Sequence, residues 1–313
     1  MSYTLLFPGQ GSQAVGMGKA MAENFATAKE VFQEVDDALN EHFSSLIFEG
    51  PENDLTLTQN AQPAIMATSV AAFRVLEKET DLHSGRDVNF VAGHSLGEYS
   101  ALCASGAISL ADTAKLLRTR GNAMQEAVSA GKGMMAAIIG PEIDTIESIC
   151  EQASTEGVCE VANDNSPGQV VISGENAGVE KAMELAKEAG ARRALPLAVS
   201  APFHSSLIAS AANVMKDALA NTEIHAPKAP VVANVHAVAI FTAEDIRDAL
   251  VSQVTGRVRW RESMHYLKEQ NVTQAIEIGN GKVLAGLMKR CEPDISIMSI
   301  GQPEDIDQYV KAA

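Results

Sequence analysis

Cysteine is scarce in this chain: four residues in 313, at positions 103, 150, 159 and 291. They form no CxxC and no Cys/His pair with metal spacing, so neither a disulfide framework nor a zinc site is expected, and the thiols read as reduced and mostly buried. Positive charge is also short. Twenty-four Lys and Arg face 40 Asp and Glu, a net charge of −16, which argues against a polyanionic nucleic-acid partner and requires an acidic protein partner to find a local basic patch. No apolar run approaches the ~18 residues of a membrane span. The stretch Met1 to Pro8 has no basic segment of the kind that opens a signal peptide and reads as a first strand, so a cytoplasmic protein is expected. The glycine-bearing turn Pro8-Gly9-Gln10-Gly11-Ser12-Gln13 lacks the third Rossmann glycine and a Walker lysine, and Gly131 and Gly133 around Lys132 are too sparse for a phosphate loop. No nucleotide cofactor is therefore expected.

What remains is a composition ordinary for a globular protein, 46% hydrophobic and 20% charged, in a chain long enough for a sizeable core. Strand and helix signals alternate, which points to an α/β class with a mostly parallel sheet. Strands are predicted at Tyr3 to Phe7, Val88 to Ala92, Val231 to Val235 and Gln274 to Ile278. Helices are predicted at Met17 to Ala38, from Pro63 as first residue to about Glu79, at Leu96 to Ala104, and at Leu110 to Val128 behind a Ser109/Asp112 capping box. Between residues 131 and 198 the order becomes strand, helix, strand, strand, helix, strand, with strands at Met134 to Ile139, Val158 to Ala162, Val170 to Ser173 and Ala194 to Val199. That is the ferredoxin-like βαββαβ order, read as a small subdomain inserted into a larger one made of residues 1–130 and 199–313.

The chemistry concentrates at Gly93-His94-Ser95-Leu96-Gly97, a Gly-x-Ser-x-Gly set between a strand and a helix. This is the setting of a nucleophile elbow, in which the flanking glycines remove Cβ atoms from a tight turn and the following helix offers free N–H groups to a developing negative charge. A serine nucleophile needs a base. Of seven histidines, His42, His83, His225, His236 and His265 lie in polar or loop stretches, and His94 neighbours Ser95 on a turn that points adjacent side chains apart. His204, in the junction loop Val199 to Ser206, is the expected base. Arg120 shares a helix face with Leu116, Leu117, Met124 and Val128, so it must either snorkel or meet an anion; the anion is either the partner of a structural ion pair or a substrate carboxylate, for which a bidentate clamp suits the guanidinium fork.

Taken with Phe7 to Gln13, Gln62-Pro63-Ala64, Gly93 to Tyr99, Arg120-Gly121 followed by Met124-Gln125, Asn165 to Gly174, Pro202 to Ser205, Gln253 and Val258-Arg259-Trp260, the chain resembles the malonyl-CoA:acyl-carrier-protein transacylase family along essentially its whole length. The resemblance implies an α/β-hydrolase-like core carrying the serine, with a ferredoxin-like small subdomain. It implies Ser95 as acyl nucleophile, His204 as base, the backbone N–H groups of Gln10 and Leu96 as oxyanion hole, and Arg120 as binder of the malonyl carboxylate. Gln62 would line the site, the segment at Gln253 would orient the histidine through a backbone carbonyl, and bulky Phe203 would favour malonyl over methylmalonyl. The family uses a two-residue dyad; Asp164 is the nearest rival for a third member. No metal or redox cofactor is implied, malonyl-CoA and an acidic acyl carrier protein are the expected partners, and a monomer is expected. Carrier docking would fall to Lys187, Arg192 and Arg193, or to Arg257, Arg259 and Arg261. A serine esterase or thioesterase would use the same elbow, but has no use for a buried cation; an acyltransferase of a polyketide pathway would use the same residues.

Overall fold

The computed structural model describes residues 2–129, 131–199 and 201–312. The expected boundary residue Ala130 lies outside them, as do Met1, Ser200 and Ala313. Ten strands form two sheets: β1 (Tyr3–Phe7), β2 (Val88–Gly93), β3 (Gly133–Ile139), β4 (Cys159–Ser166), β5 (Gln169–Glu175), β6 (Arg193–Pro196), β7 (Val231–Val232), β8 (Ala239–Ile240), β9 (Gln274–Ile278) and β10 (Ser296–Ile300). The larger sheet has the order β10-β9-β1-β2-β7-β8 and is parallel except where β7 meets β8. β1 reads as a continuous apolar run because both of its faces are covered: Leu5, Leu6 and Phe7 are fully buried, Leu5 and Phe7 against one core and Leu6 against the other. The smaller sheet has the order β4-β5-β3-β6 and is antiparallel throughout, the ferredoxin-like arrangement. Helices Ile143–Ala153 and Asn176–Glu188 pack on it through a separate core containing Ile138, Ile146, Ile172 and Val179.

Several local expectations are corrected. The single helix predicted from Met17 to Ala38 is two, Lys19–Asn24 and Ala26–Leu39, because Phe25 adopts an extended backbone (φ −128°). Neither proline nor glycine marks the break, so it leaves no trace in the sequence. Pro63 does not open its helix but lies six residues into Thr58–Glu79; near a helix start, its missing N–H costs only one bond. The strand expected over Val231 to Val235 stops at Val232, where Asn234 turns its polar groups to other partners. Ser109 does cap Leu110–Glu126, its Oγ accepting from Asp112 N–H at 3.0 Å.

Two close approaches position the site. β1 and β2 are adjacent, with Phe7 opposite Gly93, so the turns leaving both strands emerge side by side at the carboxyl edge of the sheet. A Cβ on Gly121 would lie 2.5 Å from Gln59 Cα; its absence lets helices Leu110–Glu126 and Thr58–Glu79 touch backbone to backbone, and this brings Arg120 to Gln62. The small sheet is fastened to the rest by Asp164 N–H to Val258 O (2.9 Å), Val258 N–H to Ala162 O (2.8 Å) and a forked ion pair from Arg261 to buried Asp164.

Candidate active site

The turn after β2 is as tight as its glycines suggest. A Cβ on Gly93 would fall 1.9 Å from Gly97 O, and one on Gly97 would fall 2.2 Å from Phe7 O. Ser95 is held at φ +53°, a left-handed conformation costly for a non-glycine residue and maintained here by its surroundings. Its N–H donates to Asn234 Oδ1 at 2.7 Å, and its carbonyl accepts from Gln253 Nε2 at 2.9 Å. The hydroxyl therefore projects into a cleft of about 470 Å³, lined among others by Gln10, Gln62, Arg120, Met124, Phe203 and His204.

His204, also at positive φ (+55°), brings Nε2 to 2.8 Å from Ser95 Oγ. Its Nδ1 faces two carbonyl oxygens, Gln253 O at 2.9 Å and Gly256 O at 3.1 Å. Carbonyls only accept, so the proton sits on Nδ1, and Nε2 presents a lone pair to the serine hydroxyl. Burial, with the nearby Arg120 charge second, pushes the imidazole down to about 3, which keeps it neutral and basic in form across the physiological range. Asp164, the rival third member, is occupied by Arg261 instead.

Arg120 is 1% exposed and has no carboxylate partner among the described residues. It donates to Gln62 Oε1 (2.7 Å), Gln253 Oε1 (2.9 Å) and Ser95 Oγ (3.1 Å), and its guanidinium carbon lies 5.6 Å from the Tyr99 ring centroid. Its Nε has no acceptor. Burial lowers its pKa, outweighing the opposing pull of the Tyr99 hydroxyl and the Glu98 carboxyl. The site thus holds a buried cation hydrogen-bonded only to neutral oxygens, three ångströms from the serine hydroxyl. Two residues away, Arg118 takes the ordinary course and pairs with Glu41 at 2.9 Å.

The turn Pro8 to Gln13 packs over the elbow; a Cβ on Gly9 would lie 2.5 Å from His94 O, so only glycine allows this approach. Among the described residues the backbone N–H groups of Gln10 and Leu96 meet no protein acceptor, while those of Gly97 and Glu98 are used within the turn. Both free donors belong to segments bordering the cleft. His94 turns away from the base position, its Nε2 2.8 Å from Asn165 Oδ1 on β4 and its ring against Trp260. The other five histidines are exposed.

Three participants escaped sequence reasoning. Glu98 is fully buried; its Oε2 accepts from Asn234 N–H (3.0 Å) and Gln253 Nε2 (2.9 Å), and burial raises its pKa to about 7. Asn234 joins Glu98, Gly93 O and Ser95 N–H. Asn165 anchors His94. Glu98 was open to discovery, since a charge inside the apolar stretch Leu96 to Ala104 raises the question Arg120 raised; the two asparagines carry no such mark. Of the expected docking cations, Arg257, Arg259 and Arg261 are paired with Glu147, Glu262 and Asp164.

No helix of the described residues is long and apolar enough to cross a membrane, and none of their His, Cys, Asp and Glu side chains gather in threes to hold a metal ion. A family model described as the acyl transferase domain matches residues 4–290. A malonyl CoA-acyl carrier protein transacylase of Bacillus subtilis is 48% identical over 307 residues, 98% of this chain and 95% of the relative. The crystal structure of an acyl-carrier-protein S-malonyltransferase from Bartonella henselae superposes with a TM-score of 0.97 at 53% identity, covering 100% of this chain and 99% of that one. A type II PKS acyl-carrier protein in complex with its malonyl-transacylase matches with a TM-score of 0.95 at 40% identity over the full length of both chains. The chain belongs to the acyl transferase domain family and, within it, to the malonyl-CoA:acyl-carrier-protein transacylases.

Proposed function

We propose that the protein transfers malonyl from malonyl-CoA to the phosphopantetheine thiol of acyl carrier protein, as a step of fatty-acid synthesis, through a malonyl ester on Ser95. The observation that carries this reading is the joint placement of the Ser95–His204 contact and the Arg120 guanidinium, which no carboxylate hydrogen-bonds, 3.1 Å from the same hydroxyl. An esterase for neutral acyl groups gains nothing from a buried cation there. An acyl group whose carboxylate stands one methylene beyond its carbonyl matches the short separation.

In the first half-reaction Ser95 Oγ attacks the thioester carbonyl and gives its proton to His204 Nε2. The developing oxyanion rests on the Gln10 and Leu96 N–H groups, each worth ~3 kcal/mol of barrier. The C–S bond breaks, and the coenzyme A sulfur leaves with the proton from Nε2. In the second half the carrier thiol gives its proton to Nε2 and attacks the ester; the C–Oγ bond breaks and Ser95 recovers its proton. Arg120 redirects its fork from Ser95, Gln62 and Gln253 to the malonyl carboxylate. This fixes the ester so that the thiol outcompetes water. Phe203 stands in the cleft as a wall against an α-methyl group. Each step uses groups of the chain and the two thiols, so the cycle calls for no metal or redox cofactor. We read the protein as a cytoplasmic monomer built of two subdomains, 131–198 and the remainder.

Intact-mass measurement after brief incubation with a panel of acyl-CoA thioesters tests this reading. A malonyl adduct on Ser95 that discharges onto holo acyl carrier protein is expected. Free malonate in place of malonyl carrier, or an adduct elsewhere, overturns it.

A further inference from the structure

The buried carboxyl of Glu98 has no part in the cycle above, yet it bonds Gln253 and Asn234, which in turn hold Arg120, His204 and Ser95. Its Oε2 accepts from the Gln253 side-chain N–H₂, and this decides which way the Gln253 amide faces. With Nε2 committed to Glu98 and to Ser95 O, Gln253 Oε1 must point at Arg120, where it accepts at 2.9 Å. The same Oε2 holds Asn234 N–H, and Asn234 Oδ1 holds Ser95 N–H. Its other oxygen, Oε1, is buried without a donor. Around Glu98 the packed elements present one charged group, Arg120, from helix Leu110–Glu126, and one further titratable group, the adjoining Tyr99; Gln253 and Asn234 are neutral. Arg120 and Glu98 are thus two buried ionisable groups linked through a single amide.

Resting on the malonyl reading of the same site, we propose that Glu98 is a positioning residue for the carboxylate-bearing acyl group: it orients the Gln253 amide toward Arg120, supplies the buried counter-charge to Arg120 while the site is empty, and takes up a proton from solvent when the acyl carboxylate arrives. The physical reason is that two carboxylates sharing one guanidinium in a low-dielectric site do not both stay ionised. The incoming carboxylate makes direct contact with the fork and keeps its charge; Glu98, one amide removed, gives its charge up. That the empty-site value of Glu98 is already raised to about 7 by burial fits this division. The linkage has a definite sign. Below about pH 7 Glu98 is protonated before the acyl group binds, and loading is independent of pH. Above that, malonyl loading requires a proton and weakens as pH rises, by up to about tenfold per unit, until the higher pKa of the loaded enzyme is passed. Acetyl, with no carboxylate, carries no such requirement.

The test is the equilibrium ratio of malonyl- to acetyl-Ser95, read by intact mass with both thioesters present, between about pH 6 and about pH 9. Protonation of released coenzyme A affects both acyl groups equally and cancels in the ratio. The wild-type ratio is expected to fall several-fold toward high pH. In Glu98→Gln, whose amide oxygen can still accept from Gln253 and Asn234, it is expected to be flat. A flat wild-type ratio, which needs no variant to observe, overturns the proposal, as does an undiminished slope in Glu98→Gln. Absence of any acyl-Ser95 would instead strike the malonyl reading itself.

Discussion

Two arginines, Arg261 and Arg120, are held in opposite ways. Where β4 meets helix Trp260–Glu269, Asp164 is 1% exposed and receives the whole fork of Arg261 at 2.8 to 3.1 Å; each charge has its complement, and the Arg261 pKa is raised by it. In the cleft Arg120 is buried, receives only neutral oxygens, and its pKa is lowered. The first arrangement is complete and fastens the small sheet. The second holds a cation with no carboxylate in hydrogen-bonding contact, Glu98 reaching it only through the Gln253 amide, and on the malonyl reading an entering carboxylate would complete it. Arg261 is one-third exposed where Arg120 is buried, and the two guanidinium groups differ above all in their partners, a carboxylate for one and neutral oxygens for the other.

The comparison can be broken or sharpened by substitution. The largest effect is expected from His204→Ala, which removes the group receiving the Ser95 proton: single-turnover acylation followed by rapid quench should slow by about 10²- to 10⁴-fold. An unchanged rate would move the base elsewhere. Arg120→Ala should lower the malonyl-to-acetyl loading ratio by about 10- to 100-fold while Ser95 still accepts acetyl. Equal loss of both acyl groups would contradict a clamp. Asp164→Asn should do the reverse, leaving the acyl ratio in place and costing about 1–3 kcal/mol of stability, less than a fully buried pair because Arg261 is one-third exposed. Chemical denaturation of the variant measures this, and a shifted acyl ratio with intact stability would erase the distinction.

Acid sharpens the contrast further. His204 falls to about 3 in the folded protein from an ordinary value near 6.5, so the unfolded chain binds the proton first. Its contribution to stability is complete above about pH 6.5 and is lost as pH falls from there toward 3. The melting temperature of wild type relative to His204→Ala should therefore drop between about pH 7 and about pH 5, and parallel curves would refute the assigned value. The smallest effect belongs to the surface. Arg257, Arg259 and Arg261 are engaged by carboxylates, so the other expected docking group, Lys187, Arg192 and Arg193, is the one to test: if the carrier docks there, reversing Arg192 and Arg193 to Glu should raise the carrier KM by roughly three- to tenfold. No change would remove that patch.

Sequence legibility followed local signals. Gly93, Ser95 and Gly97 announce a turn because sterics permit few residues there, and Arg120 announces a site because a cation on an apolar stripe demands an anion. The βαββαβ order from residue 131 to 198 is likewise written in alternating periodicities. The break at Phe25, the helical burial of Pro63 and the early end of β7 were not legible, since each is imposed by packing from distant segments rather than by the residues themselves. The same holds for Asn234 and Asn165: ordinary polar residues gain their partners, 139 and 71 positions away, only when the sheet brings them together.

Gln253 serves two masters with different parts of itself. Its main-chain carbonyl anchors the imidazole, whereas its side chain governs the guanidinium. Any residue at this position still supplies the carbonyl, but the Gln253 side chain also holds the Ser95 carbonyl, so a substitution here would disturb the nucleophile's turn together with the guanidinium. On the malonyl reading, reaction and recognition thus meet within a single amino acid, and a change at position 253 would be felt by both.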